Sequence, residues 1–174
     1  AFESILASGP NAAKPHHQTS NRKFKKGDVL LLDFGTKYQN YSADLSRTLF
    51  IGKAKDEHAN VFWHVLDAQK KALKNIKKGT KTHEAFNYAN SHFQNHKLEE
   101  FFTHGLGHGI GLDVHETPYL RKTATNETLK NNMVFSVEPG LYMQWGGVRI
   151  EDLVVIENGK TRVLGKEQKD LIIV

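Results

Sequence analysis

THGLGHGIGL, residues 103–112, places glycine at every second position from 105 to 111. Read as a strand, the segment puts only hydrogens on one face and His104, Leu106, His108 and Ile110 on the other. Glycine at that density weakens a strand, so it implies close approach by another backbone or by a ligand. A helical His-Glu-x-x-His zinc motif is excluded, because the glycines would not sustain the helix. A lone histidine in a strand is ordinarily a satisfied polar residue. Here His104, His108 and the His115-Glu116 pair gather around one glycine ladder.

Toward the N-terminus, Asp28-Val-Leu-Leu-Leu-Asp33-Phe34 is an apolar run opened by Lys26-Gly27, and residues 40–51 form a second strand. The short loop at 36–40 suits a hairpin. With its turn centred between Tyr38 and Gln39, Asp33 falls opposite Asp44. Directly opposed acids have Cβ atoms ~5 Å apart and repel; a cation between them reverses the sign. Taken alone, the pair reads as two aspartates on a solvated hairpin face, the commoner case. Toward the C-terminus, however, residues 133–138 and 148–156 are β-rich, with a glycine-containing turn near 143–147. Symmetric pairing there sets Glu138 against Glu151 within a residue of register. Both glutamates lie in apolar sequence, Val134-Phe-Ser-Val-Glu138 and Val148-Arg-Ile-Glu151, where a buried carboxylate needs a partner. Two hairpins with opposed acids also suggest an internal duplication with a cation site on its axis.

Between the hairpins the periodicity becomes helical. Val61, Phe62, Val65, Leu66, Ala72, Leu73 and Ile76 line one face of a helix over residues 56–77, closed by Gly79. A second helix is expected from Thr82, as N-cap, to about His96, with Ala85, Phe86, Ala89 and Phe93 inward. His58, His64, His83, His92 and His96 fall on these helices and receive no role. Phe2 to Ala7 forms a strand, and Glu157-Asn158-Gly159-Lys160 is a further hairpin turn. A hairpin, two helices and then several strands make an α+β domain rather than a doubly wound one. It is expected to be one domain over residues 1–174, incomplete at its N-terminus because the chain opens on Ala1 and enters a strand at once.

With 39% hydrophobic and 25% charged residues, the composition is that of an ordinary globular protein. No apolar run approaches the ~20 residues that span a bilayer, so no membrane association is expected. The absence of cysteine excludes disulfides and thiolate chemistry and points to the cytoplasm. Lysine and arginine exceed the acids by 24 to 19, with the excess at Lys70, Lys71, Lys74, Lys77 and Lys78. Aromatics are not interleaved there, so a solvated helix face is expected and nucleic acid is not. By local sequence, His16 and His17 belong to a surface loop.

The segments SGPNAAKPHH (8–17), LLLDFG (30–35), SADLSRT (42–48), HGLGHGIGLDVHE (104–116), MVFSVEPGLY (133–142) and VRIEDLVV (148–155) together resemble the catalytic domain of the pita-bread metallopeptidases, in the Xaa-Pro branch of aminopeptidase P and prolidase. The resemblance implies a pita-bread (creatinase/aminopeptidase-like) α+β fold, a curved antiparallel sheet with helices on its outer face, here N-terminally truncated. It implies that Asp33, Asp44, His108, Glu138 and Glu151 hold two divalent ions, with Asp44 and Glu151 among the bridging or bidentate ligands. His104 and His115 become catalytic and substrate-side residues, and His115 stabilises the tetrahedral intermediate or polarises the scissile carbonyl. Glu138 also carries the water proton, His16 moves from the surface to the substrate pocket, and Arg149 orients a ligand carboxylate.

The implied reaction is hydrolysis of the bond between an N-terminal residue and proline by a metal-bridging hydroxide, as an Xaa-Pro aminopeptidase or dipeptidase. An oxygen-rich ligand set suits manganese first, with cobalt, iron or zinc as alternatives. The expected partners are a proline-containing peptide and either a second copy or a chain supplying the missing N-terminal part. Methionine aminopeptidase is disfavoured, since that resemblance calls for Phe-His-Glu after the ladder and the chain has Leu112-Asp-Val-His-Glu116. A non-catalytic peptide- or protein-binding module on the same fold would be expected to lose ligands, and all five are present. Asn132 stands where the family generally has glycine, a position a left-handed Asn can fill.

Overall fold

The computed structural model describes residues 1–124 and 127–174. The N-terminal hairpin forms as expected but with a different turn. Strand Val29–Phe34 (β2) follows Ile5–Ser8 (β1), and the chain reverses through two short strands, Lys37–Tyr38 (β3) and Tyr41–Ser42 (β4), before Leu45–Phe50 (β5). The reversal is at Gln39 and Asn40, whose φ angles of 48° and 70° give the two-residue turn favoured by strand twist. Centring the turn one residue later than the sequence suggests moves every pairing by two, so Asp33 opposes Ser46 rather than Asp44. A two-residue shift preserves the face, because the side-chain period is two. Asp44 therefore remains on Asp33's side of the sheet, displaced along the strand.

Two helices come next. Asp56–Asn75 (α1) carries Asp56 and Glu57 in its first turn and Lys74 in its last, matching the helix dipole at both ends. In Thr82–Asn95 (α2) the expected inner face of Ala85, Phe86, Ala89 and Phe93 is buried. Its N-cap is Lys81, not Thr82, because the Glu84 carboxylate reaches back to accept the Lys81 N–H at 3.0 Å. Lys70, Lys74, Lys77 and Lys78 are exposed, as expected of a solvated face.

The remaining strands are Gly107–Gly109 (β6), Glu116–Leu120 (β7), Val134–Val137 (β8), Gly140–Met143 (β9), Gly146–Arg149 (β10), Asp152–Glu157 (β11), Lys160–Val163 (β12) and Ile172–Ile173 (β13). Among the described residues the strands form a four-stranded sheet β1-β2-β5-β13, a five-stranded sheet β12-β11-β8-β6-β7 and the two-stranded ribbons β9-β10 and β3-β4; β13 pairs parallel to β5 and the other pairs are antiparallel. The glycine ladder shortens to three residues of regular strand. A Cβ on Gly107 would lie 2.0 Å from the Ser136 carbonyl oxygen, and one on Gly109 would lie 2.1 Å from that of Thr117. The approaching group is backbone on both sides. Leu106 enters the hydrophobic core cluster while His104 and His108 line a cavity, so the four residues do not share one face as expected. Asn132 adopts φ 67°, the left-handed conformation anticipated for it.

The C-terminal hairpin keeps one register from end to end, Met143 with Gly146 and Val137 with Asp152. Extending that register places Glu138 opposite Glu151. The ladder is broken at this point, however, between β8 and β9 on one arm and β10 and β11 on the other. Gln69, fully buried on α1, fills the break: its amide donates to Val137 O, Ile150 O and Asp152 Oδ2, each at 3.1 Å. Gln69→Leu removes the donor from two buried carbonyls and a carboxylate. We expect a loss of about 2–4 kcal/mol in urea unfolding; a change under about 0.5 kcal/mol would mean that water satisfies those groups.

Candidate metal centre

The strand breaks are where the acids gather. Asp44 sits between β4 and β5, Glu138 between β8 and β9, and Glu151 between β10 and β11, while Asp33 lies on β2 and His108 on β6. Freed from the ladders, their backbones tie to other strands. Glu138 N–H donates to Leu106 O at 2.8 Å, and Glu151 N–H donates to Ser46 O at 3.1 Å, linking the two hairpins. All five side chains line a cavity of about 420 Å³, together with His16, His104, His115 and Arg149. Phe2, Ile5, Val114 and Tyr119 supply apolar wall. The volume is that of a small-ligand site.

His108 Nε2 lies 3.2 Å from Glu138 Oε1 and 3.8 Å from Asp44 Oδ2. Asp44, His108 and Glu151 each offer one ligand atom within 4.8 Å of the others. Asp33 Oδ1, Asp44 Oδ1 and Glu151 Oε1 are buried with no hydrogen-bond partner. Buried carboxylate oxygens are normally partnered, so three such orphans on residues lining one cavity make it a candidate place for cations. The donor set of four carboxylates and one imidazole fits two hard divalent ions.

The acids are held by Arg149, expected to orient a ligand carboxylate, and by Ser46, Ser136 and Tyr142, which sequence reasoning missed. Arg149 is buried at the base, donating to Asp33 Oδ2 at 2.6 Å, Ser46 Oγ at 2.9 Å, Tyr142 Oη at 2.8 Å and Pro15 O at 3.2 Å. Ser46 in turn donates to Glu151 Oε2 at 2.8 Å, so one guanidinium reaches an acid of each hairpin. Ser136 accepts the His108 backbone N–H and donates to Glu138 Oε1. Ser46 and Ser136 lie within sequence segments singled out above, but nothing local distinguishes a serine that meets a residue many positions away.

His104 Nδ1 contacts Gly105 O at 2.7 Å and its Nε2 contacts Tyr142 Oη at 2.8 Å. A carbonyl only accepts, so Nδ1 carries the proton and Nε2 accepts from Tyr142. Burial holds His104 below its ordinary pKa, consistent with a neutral ring, and pushes the Tyr142 hydroxyl up to about 12. His115 stacks edge-on to His108 with centroids 4.3 Å apart; burial and the His108 charge lower its pKa. His16 lines the same cavity from an exposed position at its mouth.

Without cations the acids strain against each other. Burial, then the charges of Asp33 and Glu138, raise Asp44 to about 7. Burial also raises Asp33 and Glu151. In Glu138 burial is outweighed by the His108 hydrogen bond and the nearby positive groups, which hold its carboxyl down. Burial is likewise outweighed in His108, whose bond to Glu138 raises it. Cations binding here would compete with protons at Asp44 and His108, whose pKa values are both raised. The apparent Mn²⁺ affinity is expected to fall as pH drops below about 7, on the order of tenfold per pH unit for each proton displaced. Calorimetric titration between pH 5.5 and 8 checks this; a flat profile would contradict it.

A family profile described as metallopeptidase family M24 matches residues 1–158. An Xaa-Pro dipeptidase of Pyrococcus horikoshii is 38% identical over 174 residues, covering 99% of this chain and 49% of the relative. A prolidase structure from Thermococcus sibiricus superposes with TM-score 0.97 at 40% identity, covering 99% of this chain and 47% of the other. An X-Pro aminopeptidase structure from Thermotoga maritima gives TM-score 0.96 at 39% identity, covering 99% and 49%. The chain thus spans about half the length of the curated relatives it matches.

Proposed function

The chain belongs to metallopeptidase family M24 and has its pita-bread fold, and on that premise we propose that it hydrolyses the peptide bond between an N-terminal residue and proline at a site for two divalent ions. The observation that carries this reading is the convergence of Asp44, His108 and Glu151 on one cavity that also contains the orphaned carboxylate oxygens. Asp33, Asp44, His108, Glu138 and Glu151 hold the ions, with manganese preferred for its affinity for oxygen ligands.

Two bound divalent ions supply an acidified water and a counter-charge for the developing oxyanion. This chain's residues do the rest. Glu138 stays ionised at neutral pH and accepts the proton of the attacking water, then returns it to the proline nitrogen. His115, neutral beside His108, donates to the scissile carbonyl oxygen as it becomes negative. Arg149 fixes Asp33 directly and Glu151 through Ser46. Both nitrogens of His104 are engaged by Gly105 and Tyr142, so it shapes the substrate side of the cavity rather than moving the proton. His16 meets the peptide at the mouth.

The test incubates manganese-loaded protein with Gly-Pro, Gly-Pro-Pro and Met-Ala-Ser. Cleavage before proline in either of the first two is expected, with Met-Ala-Ser untouched. Cleavage of Gly-Pro alone assigns a dipeptidase, and cleavage of Gly-Pro-Pro an aminopeptidase. Hydrolysis of Met-Ala-Ser alone would replace the reading with a methionine aminopeptidase. Binding of Gly-Pro-Pro without turnover by protein carrying both ions would replace it with a binding module.

A further inference from the structure

On the α1–α2 helix pair, away from the acidic cavity, His64, His92 and His96 each present a ring nitrogen within 4.8 Å of the others. His92 and His96 are four residues apart at the end of α2, hence on one face, and His64 faces them from α1. None of the three lines the cavity. We propose that these histidines form a second metal site, taking one late first-row divalent ion such as Zn²⁺ and clamping α1 to α2.

Three geometric features support a site over a chance cluster. His64 Nδ1 and His92 Nε2 are 3.3 Å apart, close to the ~3.4 Å between two nitrogens bound tetrahedrally to one ion at about 2.0–2.1 Å. His96 Nδ1 lies 2.8 Å from the His92 carbonyl oxygen, so it carries the proton and leaves Nε2 with a free lone pair. That is the usual setting of a ligating histidine, whose second nitrogen donates to a carbonyl and fixes the ring. Finally, His92 and His96 stand at the C-terminal end of α2, where the helix dipole favours a cation.

The surrounding charges are mixed. Asp67 on α1 is near enough to favour positive charge at His64 and His92, while Lys71 opposes it at His92. Burial and the neighbouring imidazoles keep His64 and His92 below their ordinary pKa, so both rings are neutral and able to ligate near pH 7. Three imidazoles without a carboxylate select zinc, copper or nickel over manganese, the reverse of the acidic cavity. The two sites would therefore fill with different ions. An ion here closes a 28-residue loop through both helices, so its binding adds directly to the stability of the folded state.

The experiment compares the 174-residue chain with His92→Gln and His96→Gln in buffered micromolar free Zn²⁺, counting zinc per chain by plasma mass spectrometry. His96 is exposed, so its replacement leaves the core intact. The unsubstituted chain is expected to bind one zinc more than either variant, and each substitution to weaken that ion by at least on the order of 100-fold. Zinc should raise the melting temperature of the unsubstituted chain above that of both variants, while peptide hydrolysis by the manganese-loaded proteins stays equal. Equal zinc counts in all three proteins would overturn the proposal, as would equal zinc-induced stabilisation.

Discussion

Asp44→Asn is expected to cut Xaa-Pro hydrolysis by about a thousandfold or more while making the metal-free protein more stable. Both effects come from one carboxylate. Asp44 is buried beside Asp33 and Glu138, and its pKa stands at about 7 against roughly 3.9 in an unfolded chain. Between those values the folded protein binds more protons than the unfolded one. The stability this contributes is whole below about pH 4 and is lost as pH rises through 7. Asp33 and Glu151 act in the same direction and Glu138 in the opposite one. The gap for Asp44 corresponds to about 4 kcal/mol as an upper limit, and we expect Asn to recover roughly 1–3 kcal/mol of it at pH 7.5. Urea unfolding in EDTA measures the gain. A less stable Asp44→Asn protein under those conditions would contradict the electrostatic picture.

Arg149→Met should have the largest effect on folding. Its guanidinium is 3% exposed and serves Asp33, Ser46, Tyr142 and the Pro15 carbonyl. Removing it strands a buried carboxylate among three other acids, and losses of about 3–5 kcal/mol follow from breaking such a buried pair. Arg149→Lys should rescue only part of this, because a single ammonium cannot span groups arranged for a planar fork. Denaturant unfolding of both variants checks the order. A cost under about 1 kcal/mol for Met, or full rescue by Lys, would show that the network is not what holds Asp33.

The hairpins show what the sequence reveals and what it conceals. Glu138 and Glu151 fall opposite one another by register, because the turn between Met143 and Gly146 is marked by its glycines and both arms are apolar. The first hairpin has no glycine at its tip. Gln39 and Asn40 take the left-handed conformations instead, and the position of Asp44 relative to Asp33 shifts by two. The ladder break that frees Glu138 and Glu151 was not legible, since it depends on Gln69 arriving from a helix 68 and 81 positions away to satisfy Val137 and Ile150. The same holds for Ser46 and Tyr142, whose partners are set by the tertiary fold. The histidines of the two helices are visible as spacing on α2, but only packing of α1 brings His64 to them.

If the two broken hairpins and His108 hold a pair of divalent ions, the protein should retain both through desalting. Plasma mass spectrometry of the 174-residue chain after manganese reconstitution and desalting at pH 7.5 tests it most directly. Manganese is the right probe because the three helix histidines disfavour it. Two manganese ions per chain are expected; fewer than one per chain would show that these residues do not form the site.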